Sequence, residues 1–235
     1  MTMLDALRDF KPPLAERRAL AFGVGAGAAA VGFAALDFAT VRRHTAGTDR
    51  RLGSKARARR GKPARRAAKL MAPIGKWYTY LPFALLLSGV VLAAPREETK
   101  SVKRRGGPAI RSRRLLGAAA ILAAGGVATA LNPAFDRWLP QPPVPPGRRR
   151  KKKAVFPSGH AFGPGAVALT AAWVMGEEGI APPAVTVPLA LAAPLLTAGP
   201  RLIEEKHWVS DVLGGYLGAA ALAATCLAAY EAARR

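Results

Sequence analysis

Six mostly apolar blocks, each near the length a helix needs to cross a bilayer, constrain this chain more than any other feature. About 20 apolar residues cover the roughly 30 Å of hydrocarbon. The blocks run from Ala19 to Val41, Trp77 to Pro95, Leu115 to Leu131, Ser158 to Met175, Ile180 to Gly199 and His207 to Tyr230. The second opens with Trp77, Tyr78 and Tyr80, an aromatic set suited to a membrane–water boundary. The first follows Arg17 and Arg18 as a signal peptide would, but no convincing small-x-small cleavage site ends it and a basic stretch follows, so it reads as a retained helix. Of 235 residues, 51% are apolar, too many for a disordered basic tail, and their clustering in blocks weighs against a water-soluble enzyme. A single cysteine, Cys226, excludes a disulfide framework and a Cys-based zinc site. The expected fold is all-α: a polytopic, multi-pass bundle of about six transmembrane helices in a cell membrane.

The segments between the blocks are strongly basic. Thirty-six Lys and Arg against 14 acids give a net charge of +22. Residues 1–18 read as an N-terminal tail, 19–41 as the first membrane helix, and 42–76 as a basic loop with 13 cations and one acid, Asp49. Residues 77–114 hold the second helix and another basic loop, 115–231 a core of four membrane helices, and 232–235 a short tail. A stiff proline-rich connector, Pro140 to Pro146, leads into the cationic run Arg148 to Lys153. Such segments attract anionic lipids at about 1 kcal/mol per cation near the surface, although their plainer role is to set topology. Nucleic acid is not an expected partner, because no folded soluble module presents the charge. Arginine in excess of lysine, with abundant alanine and glycine, is the compositional mark of a GC-rich bacterial genome.

Two of the three histidines stand at the mouths of expected helices. In Pro157-Ser158-Gly159-His160, Ser158 is suited to cap the helix that follows. A helix start offers backbone N–H groups and a positive dipole end to an anion, Gly159 allows close approach, and His160 adds a titratable group. The plain alternative is a helix cap with an interfacial histidine. In the second cluster, Arg201 to Asp211, His207 and Asp211 are four residues apart and share a helix face. A carboxylate on one imidazole nitrogen fixes the tautomer and strengthens the other as nucleophile or base. Arg201 supplies a fork matching phosphate oxygens. The alternative, a salt-bridged interfacial loop, is weakened by Asp211, since a carboxylate starting an apolar helix is costly without a task. His44, in the basic loop, shows no evident partner.

Together the clusters resemble the second and third signature motifs of the type 2 phosphatidate phosphatase superfamily, which also holds vanadium haloperoxidases and acid phosphatases. The second motif, P-S-G-H, matches in full at Pro157 to His160. The third, S-R-x5-H-x3-D, matches at Arg201, His207 and Asp211, with Pro200 in place of the serine. The resemblance covers roughly residues 115–231. The first motif, K-x6-R-P, is degenerate: Asn132 stands for the lysine, Leu139 for the arginine, and only Pro140 survives. Arg137 or the run Arg148 to Lys153 could restore the charge. Lys55-x6-Lys62-Pro63 has the same spacing two helices too early, a coincidence of a basic segment.

The resemblance implies a metal-independent, cofactor-free lipid phosphatase. His207 would attack phosphorus to give a phosphohistidine, Asp211 would hold its ring, and His160 would protonate the leaving oxygen. Arg201, the Ser158 hydroxyl and the Gly159 amide would hold the phosphate oxygens. Phosphatidate, a polyprenyl diphosphate or a polyprenyl-phosphosugar fits a site at the mouth of membrane helices. The competing reading is a non-catalytic relative that binds lipid phosphate or a protein partner, because the first-motif cations are gone. Peroxidase chemistry is disfavoured, since those relatives are soluble and keep the lysine.

Two arguments about topology oppose each other. The segments on the side of the two motifs hold 22 basic residues against 14 on the other, which by the positive-inside rule puts the site in the cytoplasm. The family carries its site on the outer face with both termini inside, and the expectation follows the family. Three smaller features have simple readings: Gly214-x3-Gly218 as close helix packing, Asp37 as a costly carboxylate needing a partner, and Trp208 as an interface anchor.

Overall fold

Long apolar stretches rich in alanine satisfy their own backbone as helices, the form a single apolar segment must take in lipid. The computed structural model describes residues 13–58, 61–95, 110–145 and 155–234, and every regular element among them is a helix. Helix α1 spans Leu14–Val41, α2 Ala46–Ala58, α3 Lys62–Met71, α4 Trp77–Ala93, α5 Ile110–Trp138, α6 Gly159–Glu177, α7 Pro183–Ile203 and α8 Val209–Ala233. A 3-10 turn, Ala72–Gly75, joins α3 to α4.

Helices α1, α7, α8 and the Ser112–Trp138 part of α5 are long and apolar enough to cross a membrane, and α3 with α4 makes a fifth candidate bent by 60°. The remaining block is α6, which sits in the middle of the bundle against α4, α5, α7 and α8. Its residues Ala161 to Val167 are all buried. A helix enclosed by protein needs small residues more than lipid-loving ones, and α6 has them where neighbours press closest. The Tyr80 ring lies against Gly163, and a Cβ at Gly165 would meet Pro194 and Ala219 at 2.9 Å. By contrast, α1 exposes Leu20, Val24, Val31 and Phe38 on its outer surface while packing along α8.

Within the basic segment 42–76, Ala46–Ala58 and Lys62–Met71 are helices where a loop was expected. Lysine, arginine and alanine are good helix formers, and Pro63 in the first turn of α3 presets its backbone. Helix α3 and the turn after it then pack on α7 and α6. The first and third membrane helices also extend beyond their apolar blocks, to Leu14 and to Ile110 and Trp138.

The end of the bundle formed by the C-termini of α6 and α8 is closed by a polar clasp. Arg18 of α1 pairs with Glu177 at 2.5 Å, and Arg234 meets Glu177 at 3.2 Å and Glu231 at 3.1 Å. Glu231, 1% exposed, also accepts from the Trp173 indole at 3.0 Å, and Tyr230 donates to Glu178 at 2.7 Å. Arg114, buried at the start of α5, donates to the carbonyls of Ala94 and Pro95 after α4. These pairs leave the start of α6 and the start of α8 together at the opposite end.

Candidate active site

Two glycines decide how closely the motif segments approach. A Cβ at Gly215 of α8 would stand 2.6 Å from the Ser158 carbonyl oxygen, and Gly214 faces the Phe156 ring. Bare backbone at these positions lets the start of α6 nest against α8; of the expected packing pair, Gly214 meets Phe156 and Gly218 lies against Phe162, while Gly215 between them was not singled out in the sequence. The Ser158 N–H donates to the Asp211 carbonyl at 2.9 Å, so the two motifs are joined through backbone.

His160 and His207 therefore meet. Their ring centroids are 6.2 Å apart, the planes inclined by 57°. His160 lies in the first turn of α6, and its Nε2 is 3.2 Å from the Ala72 carbonyl of the 3-10 turn. A carbonyl only accepts, so that nitrogen carries a proton. The turn presses against the ring: a Cβ at Gly75 would fall 2.6 Å from His160 Cδ2. Thr197 of α7 fixes the His160 backbone by donating to its carbonyl at 2.5 Å.

His207 is 8% exposed and sits just ahead of α8, not on a shared helical face with Asp211. The pair still meets, Nδ1 to Asp211 Oδ2 at 3.4 Å, because Asp211 occupies the third position of the helix and turns back over its start. The same carboxylate oxygen accepts the Trp208 N–H at 2.6 Å. A nearer partner was not visible in the sequence: Nδ1 is 3.0 Å from the Val155 carbonyl. Both partners are acceptors, so the proton resides on Nδ1 and the lone pair on Nε2, the tautomer of a nucleophile.

The remaining site residues are placed with differing results. Ser158 holds the N-cap position of α6 as expected, but its hydroxyl makes no capping bond; fully buried, it has no hydrogen-bond partner among the described residues. Gly159 lies against Asn132 of α5, a Cβ there falling 2.6 Å from Asn132 Oδ1. Asn132 donates to the Tyr80 hydroxyl at 3.2 Å and the Ala128 carbonyl at 3.0 Å. The position where the resemblance wants a lysine is thus at the site, and it carries a neutral amide. Arg201, in the last turn of α7, is within electrostatic reach of His160 and pairs with Glu204 at 2.6 Å. Arg137 is exposed at the end of α5, and Arg148 to Lys153 lie outside the described residues.

Gln141 is a second residue that sequence reasoning missed. Its carboxamide oxygen accepts from Val155 N at 2.7 Å and Phe156 N at 3.2 Å, and its nitrogen donates to Phe156 O at 3.1 Å. It thereby fixes the strand of chain whose Val155 carbonyl holds His207. Trp208, expected as an interface anchor, donates its indole N–H to the Pro143 carbonyl at 2.8 Å and so ties down the proline-rich connector. His44 stands apart, its ring edge-on to Phe38. Asp37 Oδ1 in α1 has no hydrogen-bond partner among the described residues. Those residues contain no group of three or more His, Cys, Asp or Glu arranged to hold a metal.

Comparison with known proteins adds a family and a fold. Residues 114–235 match the PAP2 superfamily. The fold resembles the crystal structure of a transmembrane PAP2 type phosphatidylglycerolphosphate phosphatase from Bacillus subtilis, with a TM-score of 0.63 at 17% identity, over 85% of this chain and 92% of that one. No curated protein matches the sequence.

Proposed function

This chain belongs to the PAP2 superfamily, and on that premise we propose that it is a membrane phosphatase that removes phosphate from a lipid phosphate or diphosphate by way of a phosphohistidine. The observation that carries the reading is the facing pair of histidines 6.2 Å apart, one with the lone pair on Nε2 and the other with a proton on Nε2. In the first step His207 Nε2 attacks phosphorus, the bond to the lipid oxygen breaks, and His160, charged as the imidazolium beside the bound phosphate, gives its Nε2 proton to that oxygen and is left neutral. The leaving oxygen takes the place that the Ala72 carbonyl holds against His160. Asp211 and the Val155 carbonyl stabilise the positive charge that develops on His207. In the second step water attacks phosphorus, His160 takes its proton, and the electron pair of the N–P bond returns to His207.

Charge on the non-bridging oxygens falls to Arg201, the Ser158 hydroxyl and the backbone N–H groups at the start of α6. The buried Ser158 hydroxyl gains the partner it otherwise lacks among the described residues. A site at one end of a membrane bundle suits phosphatidate, a polyprenyl diphosphate or a polyprenyl-phosphosugar. We place it on the outer face. With Cys226 changed to Ser and a lone cysteine introduced within 148–153, an impermeant thiol reagent labels intact cells; protection of that cysteine contradicts the orientation.

A second reading, a relative that binds lipid phosphate or a protein partner without turnover, draws on the neutral Asn132 against Gly159 and on the pairing of Arg201 with Glu204. Phosphate release by purified protein in detergent, over a panel of lipid phosphates and with chelator present, separates the two. Turnover lost in His207→Ala supports the enzyme. Binding of the same lipids with no release from the unaltered protein supports the second reading.

A further inference from the structure

Asp49 is the one acid among 13 basic residues in segment 42–76, and it is 5% exposed. It lies on α2, outside residues 114–235, and reaches across 161 positions of sequence to the first turn of α8. Its Oδ1 accepts the Ser210 N–H at 3.0 Å, and its Oδ2 accepts the Ser210 hydroxyl at 2.7 Å. Ser210 adjoins Asp211, and the first turn of a helix has N–H groups with no partner inside the helix. The Ser210 N–H goes to Asp49 and not to Asp211, whose Oδ2 accepts the Trp208 N–H and meets His207. A carboxylate from elsewhere in the chain takes that N–H and also suits the positive end of the helix. The same helix touches the turn a second time, where Gly53 lies against the Trp208 indole with 3.9 Å to a Cβ placed there.

We propose that Asp49 is a positioning residue for the phosphoryl-transfer site, an N-cap supplied from α2 that holds the turn carrying His207 and Asp211. Its catalytic part rests on the proposed function. The 3.4 Å contact between His207 Nδ1 and Asp211 Oδ2 has little margin, so a shift of the turn loosens the tautomer and the aim of Nε2. Misplacement on the order of 1 Å can cost about 10²-fold in rate. Asp49 touches no substrate; it acts through Ser210.

The test compares Asp49→Ala, Asp49→Asn, Ser210→Ala and the Asp49→Ala/Ser210→Ala pair in the full-length protein in detergent. Phosphate release, thermal unfolding and hydrogen exchange of the 207–213 backbone are measured on each. The expected result for Asp49→Ala is a kcat about 10- to 100-fold lower, with KM within about two-fold. The double variant falls no further than Asp49→Ala, because Ser210→Ala removes only the hydroxyl bond that Asp49→Ala has already removed. Asp49→Asn recovers most of kcat, since its oxygen still accepts the Ser210 N–H and its NH2 donates to the hydroxyl. Exchange of the Ser210 amide quickens in Asp49→Ala and not in Asp49→Asn. Unchanged kcat in Asp49→Ala with a lowered melting temperature alone overturns the catalytic part. If the unaltered protein releases no phosphate from any lipid, the proposed function fails, and hydrogen exchange decides the cap by itself. Unchanged exchange at Ser210 in Asp49→Ala overturns it.

Discussion

The Asn132 carboxamide oxygen lies directly against Gly159, within 2.6 Å of where a side chain there would begin. The amide is held by the Tyr80 hydroxyl and its own helix. It therefore sets the charge beside the amide turn where phosphate is proposed to bind. Asn132→Asp places a carboxylate there and is expected to lower kcat/KM at least about 10-fold by repelling the anion. Asn132→Lys is expected to tighten inhibition by inorganic phosphate. Steady-state kinetics with phosphate as inhibitor checks both.

Gly215 is the second tight point. The atom a Cβ would meet is backbone, the Ser158 carbonyl at 2.6 Å, so no side-chain rotation relieves it. Gly215→Ala is expected to push α6 from α8, destabilise by about 1–3 kcal/mol as overpacking does, and reduce turnover more than Gly126→Ala. Gly126 serves as the control because a Cβ there meets nothing within 4 Å. Thermal unfolding in detergent and phosphate release report the two effects.

Removing Gln141 unties Val155 and Phe156 from the end of α5. Gln141→Ala leaves two backbone N–H groups without that acceptor, at a cost of about 1–3 kcal/mol for a buried group. Because the Val155 carbonyl holds His207 Nδ1 at 3.0 Å, kcat is expected to fall about 10-fold while substrate affinity changes little. Separate measurement of kcat and KM tests this, and equal loss in both contradicts it.

The clasp at the other end of the bundle should behave in the opposite way. Glu231 is buried among Trp173, Arg234 and its neighbours, far along α8 from His207. Glu231→Ala removes one of the two carboxylates that Arg234 meets and the acceptor of the Trp173 indole, a loss of about 1–3 kcal/mol for an unsatisfied buried donor. The expected outcome is a lower melting temperature with kcat per folded molecule unchanged. A changed kcat would mean that the two ends of the bundle are coupled.

Much of this architecture was readable from the chain. Block length and apolarity foretold a membrane helix bundle, and Pro157 to His160 with Arg201, His207 and Asp211 marked the two histidines that meet. What stayed hidden depends on long-range polar contacts. The Val155 carbonyl beside His207 is backbone, which every residue has, and Gln141 acts through a carboxamide in a proline-rich connector. Segment 42–76 has too little apolar content to read as packed structure, yet it folds over His160 because α7 gives α3 a surface to rest on. Helix α6 falls short of the other blocks as a membrane span, and its close contacts at Gly163 and Gly165 are with protein. Asp211 meets His207 by turning back over a helix start, a route the four-residue spacing conceals.

The central claim is that His207 carries the phosphoryl group between the two steps. Incubation with a lipid substrate labelled in its phosphate, quenched in alkali, should leave label on the peptide containing His207. That label should be stable to base, lost in acid, and absent from His207→Ala. Steady phosphate release with no such label on the unaltered protein, or near-normal release by His207→Ala, would contradict the account.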